Sequence, residues 1–304
     1  MSKVSVLMNC YNGEEYLKQA IDSVYSQTFI DWEIVFIDNC STDNSAEIAK
    51  SYDNKIKYYK TEQNIPLGAA RNFGLKYCEG EFISFLDTDD IWFLDTLQLM
   101  VSNIDNSEFA VVYGGHINID KNGKKVGQLI PSKKEGEILP DLLVQYDIPI
   151  VSSIINLSVL RKLNILFIES FTMFEDYALF LELSVTQKIK AINQPLLLYR
   201  VHDNSSSTKK LANWAKERRE TLDKILATAP DLISKYSLEF REAYSRANYY
   251  DAMYFMSINE KIKARESLSK VKTNSTKYLL LWLVLFLPKN IWKVIQYVKY
   301  KRSF

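Results

Sequence analysis

Cysteine is scarce in this 304-residue chain: Cys10, Cys40 and Cys78 are odd in number, and no C-x-x-C spacing occurs. Such usage fits reduced, buried thiols in a cytoplasmic protein. A charge excess is also missing. Lys and Arg number 38 against 37 Asp and Glu, giving a net charge of +1 and no global basic field for nucleic acid. No G-x-G-x-x-G follows the first predicted strand, and no G-x-x-x-x-G-K-[ST] loop occurs anywhere. A dinucleotide-binding domain and a phosphate-loop ATPase are thereby excluded. The apolar run at 278–287 falls short of the ~20 residues that span a bilayer. Met1-Ser2-Lys3 leads straight into Val4-Ser5-Val6-Leu7-Met8, too short and too quickly polar for a secretory signal, so the catalytic part is expected to stay in the cytosol.

What is present begins with 47% apolar residues, enough for a sizeable core, in a length that suits one large α/β domain or one domain with an appendage. The organising stretch is Phe82-Ile83-Ser84-Phe85-Leu86-Asp87-Thr88-Asp89-Asp90-Ile91-Trp92, an apolar strand ending in three carboxylates within four residues. Carboxylates that close repel and are costly to desolvate without a cation between them. Oxygen ligands on a loop suit Mg²⁺ or Mn²⁺, and Mg²⁺ commonly takes substrate phosphates as further ligands. A plainer role for one of them, Asp89 or Asp90, is to cap a helix opening near Ile91.

Earlier in the chain, Val4 to Met8 reads as a buried strand. Leu17, Ala20, Ile21, Val24 and Tyr25 then recur at helical spacing, and Glu33 to Ile37 reads as a second strand before a short helix near Ser45. Alternating strands and helices imply right-handed crossovers and a mostly parallel, Rossmann-like α/β sheet, with ligands beyond the carboxyl ends of its strands. Tyr11 and Asn12, Asp38 and Asn39, and Asp87 and Asp89 are therefore expected to meet at one edge. After a short strand at Ile56 to Tyr59, Pro66 and Gly68 mark a turn before a helix carrying Arg71, and a helix start with a cation suits a diphosphate. Phe109 to Tyr113 reads as a strand ending at Gly114-Gly115-His116, and Asn122-Gly123 as a hairpin turn. Glu175 and Asp176 open another helix, where the helix dipole alone favours acids.

Four stretches, Val4-Ser5-Val6 to Tyr11-Asn12, Asp38-Asn39-Cys40-Ser41-Thr42-Asp43, Gly68-Ala69-Ala70-Arg71-Asn72, and Gly80-Glu81-Phe82-Ile83 through Asp90, resemble in order and spacing the family-2 inverting glycosyltransferases of the GT-A fold. The resemblance covers roughly the first two hundred residues. It implies a metal-dependent transfer of a sugar from a nucleoside diphosphate, UDP or dTDP, to a hydroxyl of a glycan or lipid-linked glycan in cell-surface polysaccharide biosynthesis. By the same resemblance, Tyr11 lies near the donor's base. Asp38 and Asn39 match an acidic pair that reads base and ribose, where Asn39 departs from the commoner Asp. Asp87 and Asp89 match the D-x-D motif, and Asp176 matches the base that deprotonates the acceptor. Tyr199-Arg200-x-His202 resembles the family's closing motif, with His202 as a further metal ligand and Arg200 offsetting the diphosphate charge. A sugar-nucleotidyltransferase would leave the Glu175-Asp176 and Tyr199-Arg200-x-His202 matches unexplained, and a silent binding subunit would not need Asp87, Asp89 and Asp176 intact.

The expected organisation is a GT-A catalytic domain over 1–207, with a nucleotide-sugar half near 1–92 and an acceptor half near 93–207, then an all-helical extension over 208–304. In the tail, 276–304, aromatic and apolar residues alternate with Lys289, Lys293, Lys299, Lys301 and Arg302 and no acid follows Lys289. That pattern suits a helix lying on an anionic membrane surface, the inner face of the cell membrane for a cytoplasmic enzyme.

Overall fold

The computed structural model describes residues 2–132, 134–201, 211–288 and 291–292. The chain divides into two compact units, 1–138 with 147–202, and 139–146 with 203–304. In the first, β1 (Val4–Cys10), α1 (Glu14–Tyr25), β2 (Trp32–Asp38), α2 (Ser45–Lys50), β3 (Ile56–Lys60), α3 (Leu67–Leu75) and β4 (Phe82–Phe85) alternate as the periodicity predicts. Then come β5 (Ile91–Trp92), α4 (Thr96–Ile104), β6 (Phe109–Ile119), β7 (Lys125–Leu129) and β8 (Glu135–Gly136). After α5 (Leu139–Val144) the first unit resumes with β9 (Ser153–Asn156), α6 (Leu157–Leu163), α7 (Glu175–Ser184) and β10 (Lys188–Arg200).

The strands form one sheet in the order β3-β2-β1-β4-β9-β6-β10-β5, with β7 paired to β6 and β8 to β10. β1 pairs in parallel with β2 and β4, while β9 runs antiparallel to β4 and β6. The parallel strands are covered on both faces: all seven residues of β2 are buried, as two-sided cover by crossover helices requires. α1 contributes Leu17, Ala20, Ile21 and Val24 to the core, each Leu or Ile worth roughly 1.5–3 kcal/mol on burial.

Two departures from the sequence reading bear on the site. β6 does not end at Gly114-Gly115-His116 but runs on to Ile119. A side chain at Gly115 would strike Leu129 O, and one at Gly114 the Leu196 side chain, so these glycines mark close packing of neighbouring strands rather than a strand end. No helix opens at Ile91 either. Ile91 and Trp92 pair with Leu198 and Leu197, and α4 begins only at Thr96, so neither Asp89 nor Asp90 is spent as its cap.

The second unit is helical, from α8 (Leu211–Thr228) and α9 (Leu232–Lys235) through α10 (Ser237–Ser257), α11 (Lys261–Ser269) and α12 (Thr276–Val284). Tyr249, Ala252, Met256, Leu268 and Tyr278 share its core. Residues 139–146, which the sequence reading placed in the acceptor half, group here. The buried Arg218 guanidinium explains the grouping, donating to Ala243 O at 3.0 Å and Leu143 O at 3.1 Å. Among the described residues, no helix is long and apolar enough to cross a membrane.

The seat of α3 on the parallel strands is tight. A Cβ at Gly74 would overlap Leu7 Cδ1 and lie 2.9 Å from Ile37 Cγ1, so Gly74→Ala should lower stability by about 1–3 kcal/mol through overpacking. Urea denaturation of wild type and variant checks this; an unchanged midpoint would show that α3 yields freely.

Candidate active site

With β1 central among the parallel strands, the turns that follow β1, β2 and β4 are neighbours. Asn12 N–H donates to Ser41 Oγ at 3.1 Å, and Asn12 Oδ1 accepts from Thr42 N–H at 2.8 Å, tying the first two turns together. The turns are sharp: Asn12 and Cys40 both sit at positive φ, 53° and 67°. Asparagine tolerates this region, whereas for cysteine it is uncommon. Gly13 lets the first turn approach the acidic one, since a Cβ there would lie 2.8 Å from Thr88 Oγ1. At this edge Tyr11 leaves 55% of its surface exposed, an aromatic face open to a ligand.

Asp38 and Asn39, expected from the sequence to read the base and ribose, also make hydrogen bonds within the protein. Asp38 is fully buried, accepting from Tyr58 Oη at 2.6 Å and Ser41 N–H at 2.8 Å, with Lys60 Nζ 3.8 Å away. Burial alone pushes its pKa up, but the hydrogen bonds from Tyr58 and Ser41 outweigh it and hold the carboxyl below the usual range. The Asn39 amide clamps the segment after β3: it donates to Ile65 O at 2.7 Å and accepts from Ile65 N–H at 3.0 Å and Thr61 Oγ1 at 3.1 Å. Both side chains are engaged in shaping the wall behind Tyr11.

The acidic turn follows β4, where Leu86 N–H donates to Leu7 O at 3.2 Å. Asp87 keeps 40% of its side chain exposed. Partial loss of water around the carboxylate pushes its pKa up to about 6, Arg71 opposes the rise, and Asp89 and Glu175 add to it. Asp90 is buried, and burial first, then Asp89 and Asp87, drives it well above its ordinary value. Its Oδ1 accepts from Arg200 N–H at 2.9 Å, while Oδ2 has no hydrogen-bond partner.

Two buried arginines hold this turn. Arg71, only 3% exposed, places Nη1 3.0 Å from Glu175 Oε1 and Nη2 3.6 Å from Asp87 Oδ1, and its guanidinium lies by the rings of Phe85 and Phe167. Arg71, expected from the sequence to face a diphosphate, has its guanidinium enclosed between two acidic elements. Arg200 is 4% exposed; its Nε donates to Asp89 O at 3.0 Å and Nη2 to Gln19 Oε1 at 3.1 Å, over the Tyr16 ring. It too braces the turn from within. His202 lies outside the described residues.

α7 starts at Glu175, so Glu175 and Asp176 occupy its first turn, and Asp176 Oδ1 accepts from Tyr177 N–H at 2.6 Å. Tyr199, near the end of β10, packs by the His116 ring. Burial drives its phenol far above the usual range, and Asp90, Asp87, Asp89 and Asp176 all push in the same direction. Sequence reasoning passed over Tyr199 as a site residue, although the Tyr-Arg-x-His match contained it. It also passed over Asn72, which clamps residue 167 through Phe167 O and N–H, both at 2.9 Å.

The donor set is oxygen-only: the half-exposed Asp87 and Asp89 of the turn, backed by an unpartnered Asp90 oxygen. That chemistry fits Mg²⁺ or Mn²⁺. Among the described residues no three His, Cys, Asp or Glu side chains group closely enough to enclose an ion alone, so a cation here would draw further ligands from a bound diphosphate.

A sequence model of glycosyl transferase family 2 matches residues 5–163, a little over half of the chain. The chain belongs to glycosyl transferase family 2. The Escherichia coli UDP-Glc:alpha-D-GlcNAc-diphosphoundecaprenol beta-1,3-glucosyltransferase WfgD is 31% identical over 217 residues, 70% of this chain and 83% of WfgD. Among solved structures, S. aureus TarS 1-349 in complex with UDP-GlcNAc superposes with a TM-score of 0.71 at 21% identity, covering 95% of this chain and 88% of that one. The mannosyltransferase PcManGT from Pyrobaculum calidifontis, in complex with GDP-Man and Mn²⁺, gives 0.61 at 16% identity over 99% and 85%. At such identities the structures speak for the fold alone, and this family-2 glycosyltransferase has the GT-A fold.

Removing Arg71 leaves Glu175 buried and unpaired, so Arg71→Met should cost about 3–5 kcal/mol, and adding Glu175→Met should recover most of it. A urea double-mutant cycle measures both; additive losses would mean the pair is not coupled. His116 gives a pH signature. Half-buried beside the Tyr199 ring, it loses water there and its pKa falls from 6.5 to about 4, so the unfolded chain takes up this proton before the folded one. Stability present above pH 6.5 should be lost as the pH falls from 6.5 to about 4, and His116→Gln should flatten that part of the urea-midpoint profile.

Proposed function

We propose that this glycosyltransferase moves a sugar from a nucleoside diphosphate, UDP or dTDP, to a hydroxyl of a glycan or lipid-linked glycan, with inversion at the anomeric carbon. One observation carries the reading: Arg71 joins the acidic turn after β4 to the Glu175-Asp176 helix start at the carboxyl edge of the parallel strands, beside the exposed Tyr11. The printed activity of WfgD, a UDP-glucose-dependent transfer to a diphosphoundecaprenol-linked sugar, and the UDP-GlcNAc bound to TarS support this donor and acceptor class. A role in cell-surface polysaccharide biosynthesis follows from the same class.

In this reading Tyr11 stacks on the base, and Asn12, Asp38 and Asn39 keep the wall behind it in shape. Asp89 is the direct holder of Mg²⁺ or Mn²⁺, with Asp87 beside it toward the ribose or the ion, and His202 is a further ligand. When bound, the cation supplies positive charge against the departing diphosphate. Arg71 and Arg200 act indirectly, by holding the carboxylates where the donor arrives. Asp176 takes the proton of the acceptor hydroxyl as its oxygen bonds to the anomeric carbon, and the bond from that carbon to the diphosphate oxygen breaks on the opposite face. An α-linked donor then gives a β-linked product.

Calorimetric titration of UDP, dTDP and GDP, with and without Mn²⁺, tests the donor half. UDP or dTDP should bind with the metal, and Asp89→Ala should weaken that binding more than about tenfold. Asp176→Asn should keep nucleotide binding while transfer falls by about 10²–10⁴-fold. Wild type that binds no nucleotide in the presence of metal would overturn the donor-site assignment, and an active Asp176→Asn would overturn the choice of base.

A further inference from the structure

α12 is apolar on both of its faces, and only one of them is covered. Tyr278, Leu281 and Leu285 point into the core of the second unit, with Ala252, Met256 and Leu268. The opposite side and the turn that continues it carry Leu279, Leu280, Leu283, Phe286 and Leu287, and Ile291 follows, all between 39% and 57% exposed. At 3.6 residues per turn Leu279, Leu280 and Leu283 share an arc of about 100° that also holds the first residue of the helix, Thr276, and the turn after the helix adds Phe286 and Leu287. A soluble helix that packs against a core normally turns charges outward; an outer face this apolar marks a docking surface.

Charge says what docks there. Arg265 lies over the Phe286 ring at 4.1 Å and Lys272 over the Trp282 ring at 4.1 Å, while Lys261 Nζ and the Arg265 guanidinium donate to Leu287 O and Leu285 O. After Glu266, the remaining 38 residues hold eight Lys or Arg and no Asp or Glu. A second copy of the chain would bring this cationic rim against itself, since a two-fold contact is self-complementary. A bilayer with anionic headgroups offers acyl chains to the leucines and negative charge to the rim together.

We infer that the outer stripe of α12 seats the protein flat on an anionic lipid bilayer, with Leu280 and Leu283 at the acyl boundary and the surrounding lysines and arginines at headgroup level. The helix lies on the surface and does not span it: its nine residues reach only about 14 Å. The inward face belongs to the core of the second unit, so the contact involves one side of the helix and not the whole apolar run. This goes beyond the transfer reaction, because binding needs neither donor nor acceptor.

Flotation of the full chain with phosphatidylcholine vesicles, with and without phosphatidylglycerol, tests it independently of activity. Wild type should float with the phosphatidylglycerol vesicles and be released by high salt. Leu280→Glu/Leu283→Glu should reduce flotation at least about tenfold, with an unchanged melting curve because both positions are exposed. Lys270→Glu/Lys272→Glu should weaken flotation without touching the stripe. Equal binding to both vesicle types, or flotation indifferent to the leucine changes, would overturn the inference. So would a dimer in gel filtration that the leucine variant converts to a monomer, which would assign the stripe to self-association.

Discussion

A buried guanidinium between carboxylates is the constraint on which the catalytic unit depends. The acidic turn after β4 and the first turn of α7 come from chain segments almost ninety residues apart, and each would repel the other if left alone. Arg71, enclosed by Phe85 and Phe167, gives both a partner. Desolvating a cation is expensive unless its partners are fixed, so α3, β4 and α7 are held to one arrangement. Arg200, at the end of β10, adds a different brace: its backbone N–H donates to the Asp90 carboxylate and its guanidinium to Asp89 O.

The sheet is built to deliver those segments. Parallel pairing of β1 with β2 and β4 brings three strand ends to one edge, and antiparallel β9 lets β6 and β10 continue the sheet to the side where Arg200 emerges. Close approaches at Gly13, Gly74 and Gly115 allow the turns, the covering helix and the added strands to come together. Burial and neighbouring carboxylates raise Asp87 and Asp90 above their ordinary values at this edge.

The sequence by itself determined the alternation of strands and helices in the first ninety residues, because buried parallel strands and one-sided helices leave distinct apolar periods. It also placed Asp87 and Asp89 after an apolar strand and Asp176 at a helix start, where the structure has them, since such positions are local patterns. Only the tertiary structure decided what faces what. That Arg71 bridges Asp87 and Glu175 could not be read locally, because these partners lie 16 and 104 positions along the chain. The clamp that the Asn39 amide puts on Ile65 likewise joins distant segments, and the glycines at 114 and 115 looked like a strand end and are strand contacts. The two sides of α12 share one composition, and burial alone distinguishes them. Local periodicity records which residues seek the interior; long-range packing decides which partner each buried polar group finds.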